Sequence, residues 1–408
     1  MRPSAGPEVV TPLDALEPPL PQRLAQVAAA AAGRAWLVGG AVRDLLLGRP
    51  AGDIDVVIEG SAVDLARRLP ADIVSVSQFQ TAVVRWPDGA EWDLVTARRE
   101  RYAHPAALPA VEPAGIADDL RRRDFTVNAL AASLAPANWG AVLDVCGGLD
   151  DLAARRLRVL HPASFADDPT RALRLARYQV RLGFEIELET RAAAVRDGDR
   201  YLPALSGERL RHDLERSLGA PDGAAQARAL SELDLLPAIH PGLRWQPELA
   251  EATEALLSEI AVAEPWLVRL LAFLPRRDGW RWLGQLAWRL SLSSAQAAIL
   301  EGLATITPRH WPTPRGSTVA RRLDGRPPES LLAFAARRPS ARASVIRYLA
   351  EWRYVAPRLD GHAVLALGCQ PGPRVGQVLR ALRDAWLDGA VKDVEQERAL
   401  AARLVAKR

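Results

Sequence analysis

The sequence is nearly without lysine. Lys392 and Lys407 are its only lysines, against a combined Lys and Arg count of 53. Its cations are therefore almost all guanidinium forks, which suit phosphate and base-edge recognition better than compact ammonium groups do. A bias toward Arg codons would produce the same composition, so the arginines permit an RNA partner without demonstrating one. The net charge of +4 is too small to decide the matter. Cysteine is scarce too. Cys146 and Cys369 stand far apart without metal-ligand spacing, which argues against a disulfide scaffold and leads us to expect reduced thiols. No apolar stretch reaches the roughly 20 residues that span a bilayer. The Pro-rich first 20 residues lack the basic-then-apolar pattern of a secretion signal. We therefore expect no membrane partner and a cytoplasmic location. No repeat of fixed period is visible, which argues against a solenoid.

What is present divides into two regimes. The chain has 408 residues, enough for two to four domains. Residues 1–22 read as a loose tail. From 23 to 145 strand and helix signals alternate. Ala35 to Val38 is a short apolar run, and DIDVVIEG (Asp53 to Gly60) alternates before a turn. Thr81 to Trp86, a PDG turn and Glu91 to Arg98 predict a hairpin. AVRDLLLG (Ala41 to Gly48) and SAVDLARRL (Ser61 to Leu69) predict helices, with Ser61 as the N-cap of the second. Beyond about 150 the strand signal fades. Ala, Leu and Arg then recur at helical spacing, as in Arg171 to Phe184 and Glu208 to Leu218. The expectation is an α+β head with a mixed β-sheet, followed by an all-α remainder.

Leu37 to Gly60, LVGGAVRDLLLGRPAGDIDVVIEG, is the most informative stretch. Gly39 and Gly40 lie between a strand and a helix, where glycine lets backbone approach a ligand and the helix N-terminus offers N–H groups to phosphate. Arg43 lies one turn further on, within reach of a phosphate oxygen. Asp53 and Asp55 are two apart on the predicted strand, so both carboxylates lie on one face. Two adjacent like charges are costly unless a cation neutralises them. Mg²⁺ suits the pair because it binds carboxylates and substrate phosphates together. A bare pair of this kind is more often a solvated turn, and the Gly-Gly turn with Arg43 upstream tips the reading toward a metal. Asp93 is either a third carboxylate on a neighbouring strand or a solvated strand face.

GGAVRDLLLG followed by GDIDV resembles the head of the class II tRNA nucleotidyltransferases (CCA-adding enzymes) and bacterial poly(A) polymerases. RRDFTVNALA (Arg122 to Ala131) and DDPTRALRLARYQVRLGF (Asp167 to Phe184) resemble further motifs of that family, in the same order. The likeness covers about residues 30–220 and weakens beyond. It implies a catalytic head at 23–145, a base-recognising neck at 146–220, a body at 221–310 and an RNA-binding tail at 311–408. It also implies that Asp53 and Asp55 bind metal. Gly40, Arg43 and Arg123 would hold the phosphates and sugar, supported by Asp124 and Asn128. Asp168 and Arg171 would read the base, and Arg174 and Arg177 would bind the triphosphate. Asp167 departs from the family, which often has Glu there.

This constellation makes chemical sense. Asp168, Arg171, Arg174 and Arg177 are each three apart and form one helical ridge. Asp168 before Pro169 also reads as an N-cap. An ionised Asp only accepts hydrogen bonds and an Arg only donates. Cytosine and adenine each present an amine donor beside a ring-nitrogen acceptor and fit such a pair; uracil and guanine present the reverse polarity. The implied activity is template-independent addition of C, C and A from CTP and ATP to the tRNA 3′ acceptor end, with release of pyrophosphate. CC-only addition, A-only addition and poly(A) synthesis share the same motifs and stay open. A non-catalytic RNA-binding paralogue would have no chemical need for both residue pairs.

The remainder is less legible. Residues 98–120, with three prolines and no periodicity, predict a mobile loop or passive connector. In the family a loop here assists the switch from C to A addition. The arginine-bearing helices near 335–354 could track RNA phosphates. Trp266, Trp280, Trp282 and Trp288 read as core.

Overall fold

The computed structural model describes residues 12–275, 279–306, 311 and 315–406. The first eleven residues of the expected tail, and parts of the Pro-rich joint near 310, lie outside the described residues. Within them the chain divides into two compact units. One comprises residues 1–205 and 233–238, the other 206–232 and 239–408. The expected head and the first four-fifths of the expected neck thus belong to a single unit.

In the first unit α1 (Leu20–Ala30) precedes β1 (Ala35–Val38), α2 (Gly40–Leu46), β2 (Ile54–Ile58), α3 (Ala62–Ala66) and β3 (Asp72–Val76). Strands β4 (Thr81–Arg85) and β5 (Glu91–Thr96) form the expected hairpin, with Arg85 opposite Glu91. A second hairpin, β6 (Arg98–Arg101) and β7 (Ala110–Pro113), leads into α4 (Ile116–Arg121). Strands β8 (Leu130–Ser133) and β9 (Val142–Asp144) complete a seven-stranded sheet of order β3-β4-β5-β2-β1-β8-β9. The sheet is mixed: β2 and β5 are parallel, whereas β1 is antiparallel to both β2 and β8. Val38, Val57, Ala97, Ile116, Leu120, Ala129 and Ala131 form one buried cluster between the sheet and α4. Ser61 caps α3 as expected, its hydroxyl accepting from the Asp64 N–H at 3.1 Å.

The loop expected at 98–120 is ordered as hairpin and helix. Its alternation was hidden because neither face is apolar. Cross-connections are ionic instead, with Arg101–Glu112 at 3.6 Å and Arg99–Asp118 at 2.7 Å. Strands β3, β8 and β9 were also absent from the sequence reading. Leu130–Ser133 is a continuous buried run with no polar alternation to mark it.

Helices α5 (Gly148–Ala153), α6 (Ser164–Asp167), α7 (Thr170–Leu182) and α8 (Leu188–Tyr201) follow. Two short strands, β10 (Arg156–Leu157) and β11 (Glu185–Ile186), pair in parallel around α7, so this region is not purely helical. Gly183, with φ 68°, ends α7 in the left-handed conformation that favours glycine.

The second unit is helical throughout its described residues, from Gly207–Leu218 to Val394–Ala406. Helix Pro328–Arg337 is buried from Glu329 to Ala336. The Glu329 carboxylate is satisfied by the N–H groups of Ala263 and Glu264 at 3.1 and 3.2 Å. A further core gathers Leu359, Val364, Cys369, Val378, Leu382 and Ala401. Trp266 is buried, as expected. Trp288 is not, being 83% exposed, because it sits on the outward side of a short helix. The Trp280 side chain lies outside the described residues. Among the described residues no helix is long and apolar enough to cross a membrane.

Candidate active site

β1 passes into α2 through Gly39, whose φ of 69° lies in the left-handed region. A side chain is unwelcome there for a second reason. A Cβ on Gly39 would lie 2.7 Å from Nη1 of Arg123. Arg123 follows α4, and its Nη2 pairs with the buried Asp119 at 3.1 Å. Gly40 opens α2, whose seven residues give only local N–H groups and not a long dipole.

Asp53 immediately precedes β2 and Asp55 lies within it. The parallel register sets Asp55 opposite Asp93 and Ile54 opposite Trp92. Ile54 and Trp92 point into the core, so the three aspartates share the other face. Asp53 and Asp93 are exposed and Asp55 is half-buried. Burial pushes the Asp55 carboxyl up to about 6; Arg123 opposes this, Asp93 and Asp53 add to it, and Arg174 opposes it. An arginine from the ridge and one from the RRDF stretch therefore both act on the central acid. All the donors here are hard carboxylate oxygens, the type that suits Mg²⁺ or Mn²⁺. No group of three or more His, Cys, Asp or Glu among the described residues closes tightly enough to hold an ion unaided. Such a site fits an ion completed by substrate phosphates.

Arg43 lies behind the Gly-Gly turn, 1% exposed. Its Nε and Nη2 each reach Asp44 at 2.8 Å, and Nη1 donates to Asn128. The guanidinium also lies 5.4 Å from the centre of the Tyr178 ring. Asn128 donates onward to Asp124 at 3.0 Å, and Asp124 pairs with Arg174 at 2.6 Å. Burial alone would raise the Asp124 carboxyl, but Arg174, Asn128 and Arg171 outweigh it and hold it below the usual range. Arg43, Asn128 and Asp124 thus form a continuous brace from α2 to α7.

The ridge on α7 turns progressively outward. Arg171 is buried, while Arg174 and Arg177 are partly exposed. Asp168 accepts from the Thr170 N–H at 3.1 Å and its hydroxyl at 2.7 Å, one residue ahead of Pro169, which takes the N-cap position expected for Asp168. Arg171 donates to the Ser164 hydroxyl and the Arg122 carbonyl, each at 2.7 Å. Arg177 lies 5.7 Å from the Tyr178 ring centre. The sequence reading missed Ser164, Asp119, Arg122 and Tyr178. Of these only the repeated Asp and Arg of DDLRRRD gave any sign.

Comparison with known proteins places these features. Residues 35–158, which hold the sheet and its row of aspartates, match the poly A polymerase head domain. The A-adding tRNA nucleotidyltransferase of Halalkalibacterium halodurans is 31% identical over 384 residues, covering 91% of this chain and 89% of that protein. The chain belongs to the tRNA nucleotidyltransferase family. The A-adding tRNA nucleotidyltransferase of Geobacter sulfurreducens is 33% identical over 397 residues, 90% of this chain, which spans 45% of that protein's length. The solved Thermotoga maritima CCA-adding enzyme complexed with tRNA superposes with a TM-score of 0.72 at 28% identity, covering 96% of this chain and 97% of that one.

Proposed function

We propose that the chain rebuilds the CCA end of tRNA in the cytoplasm, taking CTP and ATP and releasing pyrophosphate. The carrying observation is the row of Asp53, Asp55 and Asp93 on one sheet face, acted on by Arg123 and Arg174. In this reading Asp53 and Asp55 hold Mg²⁺, with Asp93 beside them. When bound, the ion would lower the cost of deprotonating the RNA 3′-hydroxyl and neutralise the leaving pyrophosphate. Arg174 and Arg177 receive the triphosphate, and Gly39 and Gly40 leave room for backbone to approach it. Arg123 steadies phosphate and sugar. Asp168 accepts from the base amine, while Arg171 donates to the ring nitrogen. The bonds from Arg171 to Ser164 and Arg122 set its orientation before a base arrives, which limits the entropy lost on binding. Arg43, Asp124 and Asn128 act by bracing these groups.

A narrower reading, addition of the terminal A alone, draws support from A-adding relatives, while CC-adding relatives of similar identity support addition of CC alone. Incubation with tRNAs ending before the first C, after CC and after CCA, with labelled CTP and ATP supplied separately, decides between them. Incorporation of both nucleotides to a defined CCA end supports the first reading. AMP added only after CC supports the second. An A ladder on any RNA overturns both in favour of poly(A) synthesis.

A further inference from the structure

At the half-buried Tyr178 on α7, three segments of the site meet. The Arg43 guanidinium of α2 lies 5.4 Å from the centre of its ring. Phe125, from the RRDF stretch, meets the ring edge to face, with centroids 5.8 Å apart and planes at 81°. Arg177, the preceding residue on the ridge, lies 5.7 Å from the same centre. Both cation distances fall within the roughly 6 Å over which the negative face of a ring attracts a cation. The first two contacts are fixed. Arg43 is buried and tied to Asp44 and Asn128, and Phe125 is fully buried. The ring is therefore seated on the core, whereas Arg177 is partly exposed. A carboxylate holds a guanidinium by accepting its in-plane N–H groups and offsetting its charge, as Asp124 does to Arg174 at 2.6 Å. An aromatic ring attracts the same group through its face and leaves the charge and the N–H edge for phosphate.

We infer that Tyr178 is a positioning residue for the triphosphate: its ring, seated on Arg43 and Phe125, holds the Arg177 fork in place without neutralising it. The inference rests on the triphosphate role proposed above for Arg177. Tyr178 needs no contact with the nucleotide. Its effect passes through Arg177, because a rotamer-rich side chain held before the ligand arrives loses less entropy on binding. The effect is confined to the outer phosphates. A nucleoside monophosphate lacks them, so its affinity is indifferent to the ring. Base reading is untouched, since the hydrogen bonds of Asp168 and Arg171 run to Thr170, Ser164 and Arg122.

The test is equilibrium binding of ATP and AMP to the full chain in Mg²⁺ by titration calorimetry, with kcat and KM for ATP on a tRNA primer ending in CC. Tyr178→Phe keeps the ring, and Tyr178→Leu removes it. Trifluorophenylalanine in place of Tyr178 keeps the shape of Phe but weakens the negative face. Tyr201→Leu, which removes a similar contact with Arg200 at 5.1 Å on α8, is the control. ATP affinity is expected to fall about fivefold with Leu or the fluorinated ring and to hold with Phe. KM should rise in parallel, with kcat changed less and AMP affinity unchanged. In an Arg177→Ala background the same changes at 178 should cost almost nothing, because the two residues act as one. Wild-type ATP affinity with the fluorinated ring overturns the inference, even if Tyr178→Leu fails to fold. Equal losses for ATP and AMP, or a loss in Tyr178→Phe, overturn it too; in each case weakened ATP binding by Arg177→Ala leaves the triphosphate role standing. Wild-type ATP affinity in Arg177→Ala overturns that role and the inference with it.

Discussion

At Gly39 two requirements meet in one position. The backbone has positive φ, and the space a Cβ would take belongs to Arg123. Gly39→Ala therefore costs more than the conformational penalty of about 1 kcal/mol, because Arg123 must also move away from Asp55. The expected outcome is a loss of incorporation by at least tenfold with the fold retained, measured by nucleotide addition beside a thermal melt. Asp53→Ala or Asp55→Ala should abolish incorporation and leave the melt unchanged or slightly raised, since each relieves repulsion within the acidic row. A variant with normal turnover in Mg²⁺ would remove the metal role. Arg171→Ala should lose selectivity between C or A and the other bases as well as rate; retention of both in a purified variant would dismiss its reading of the base.

At the scale of elements, the unit that carries the site is pinned by buried carboxylates. Asp151 on α5 is the clearest. Its side chain is fully buried and accepts from Thr126 at 2.7 Å, Arg156 at 2.8 Å and Arg158 at 2.7 Å. Burial alone would raise its carboxyl, but the bonds from Thr126, Arg158 and Arg156 outweigh it and hold the group below the usual range. A depressed folded-state value adds stability that is complete above the unfolded value near 3.8 and is lost as pH falls through the folded one. Asp151→Asn should therefore lower the melting temperature at neutral pH, by an amount corresponding to about 2 kcal/mol, and flatten the acid limb below pH 4. A parallel shift of the whole stability curve across pH would contradict this. Some elements were readable in advance, notably the β4–β5 hairpin from its PDG turn and α7 from its periodicity. The β6–β7 hairpin was not. Strand prediction from one sequence relies on apolar alternation, and its stabilising pairs are charged and join residues far apart in the chain.

For the whole molecule, charge suggests the remaining prediction. Cations on this chain are almost all arginine, and RNA binding by guanidinium–phosphate contacts releases counterions. Affinity for tRNA should fall steeply between low and moderate salt, with a log–log slope of several units, while KM for ATP changes far less. A flat salt dependence for tRNA would point to recognition dominated by neutral contacts.

What the sequence determined by itself was the inventory: a paired acid after a Gly-Gly turn, an Asp–Arg helix ridge, and an α+β beginning giving way to helices. These are local patterns, set by residue type and by periods of two and of three to four. Only the tertiary structure decided how the inventory is used. Parallel pairing of β2 with β5 brought Asp93 beside Asp55, although 38 positions separate them. Burial turned Arg43 inward to Asp44 and Asn128, so a residue expected at the phosphates became a brace. The same packing fastened the 98–113 hairpin to α6, the Ala106 N–H donating to the Ala166 carbonyl two residues before Asp168. Register and desolvation depend on what lies opposite each residue in space, and chain spacing carries no record of that.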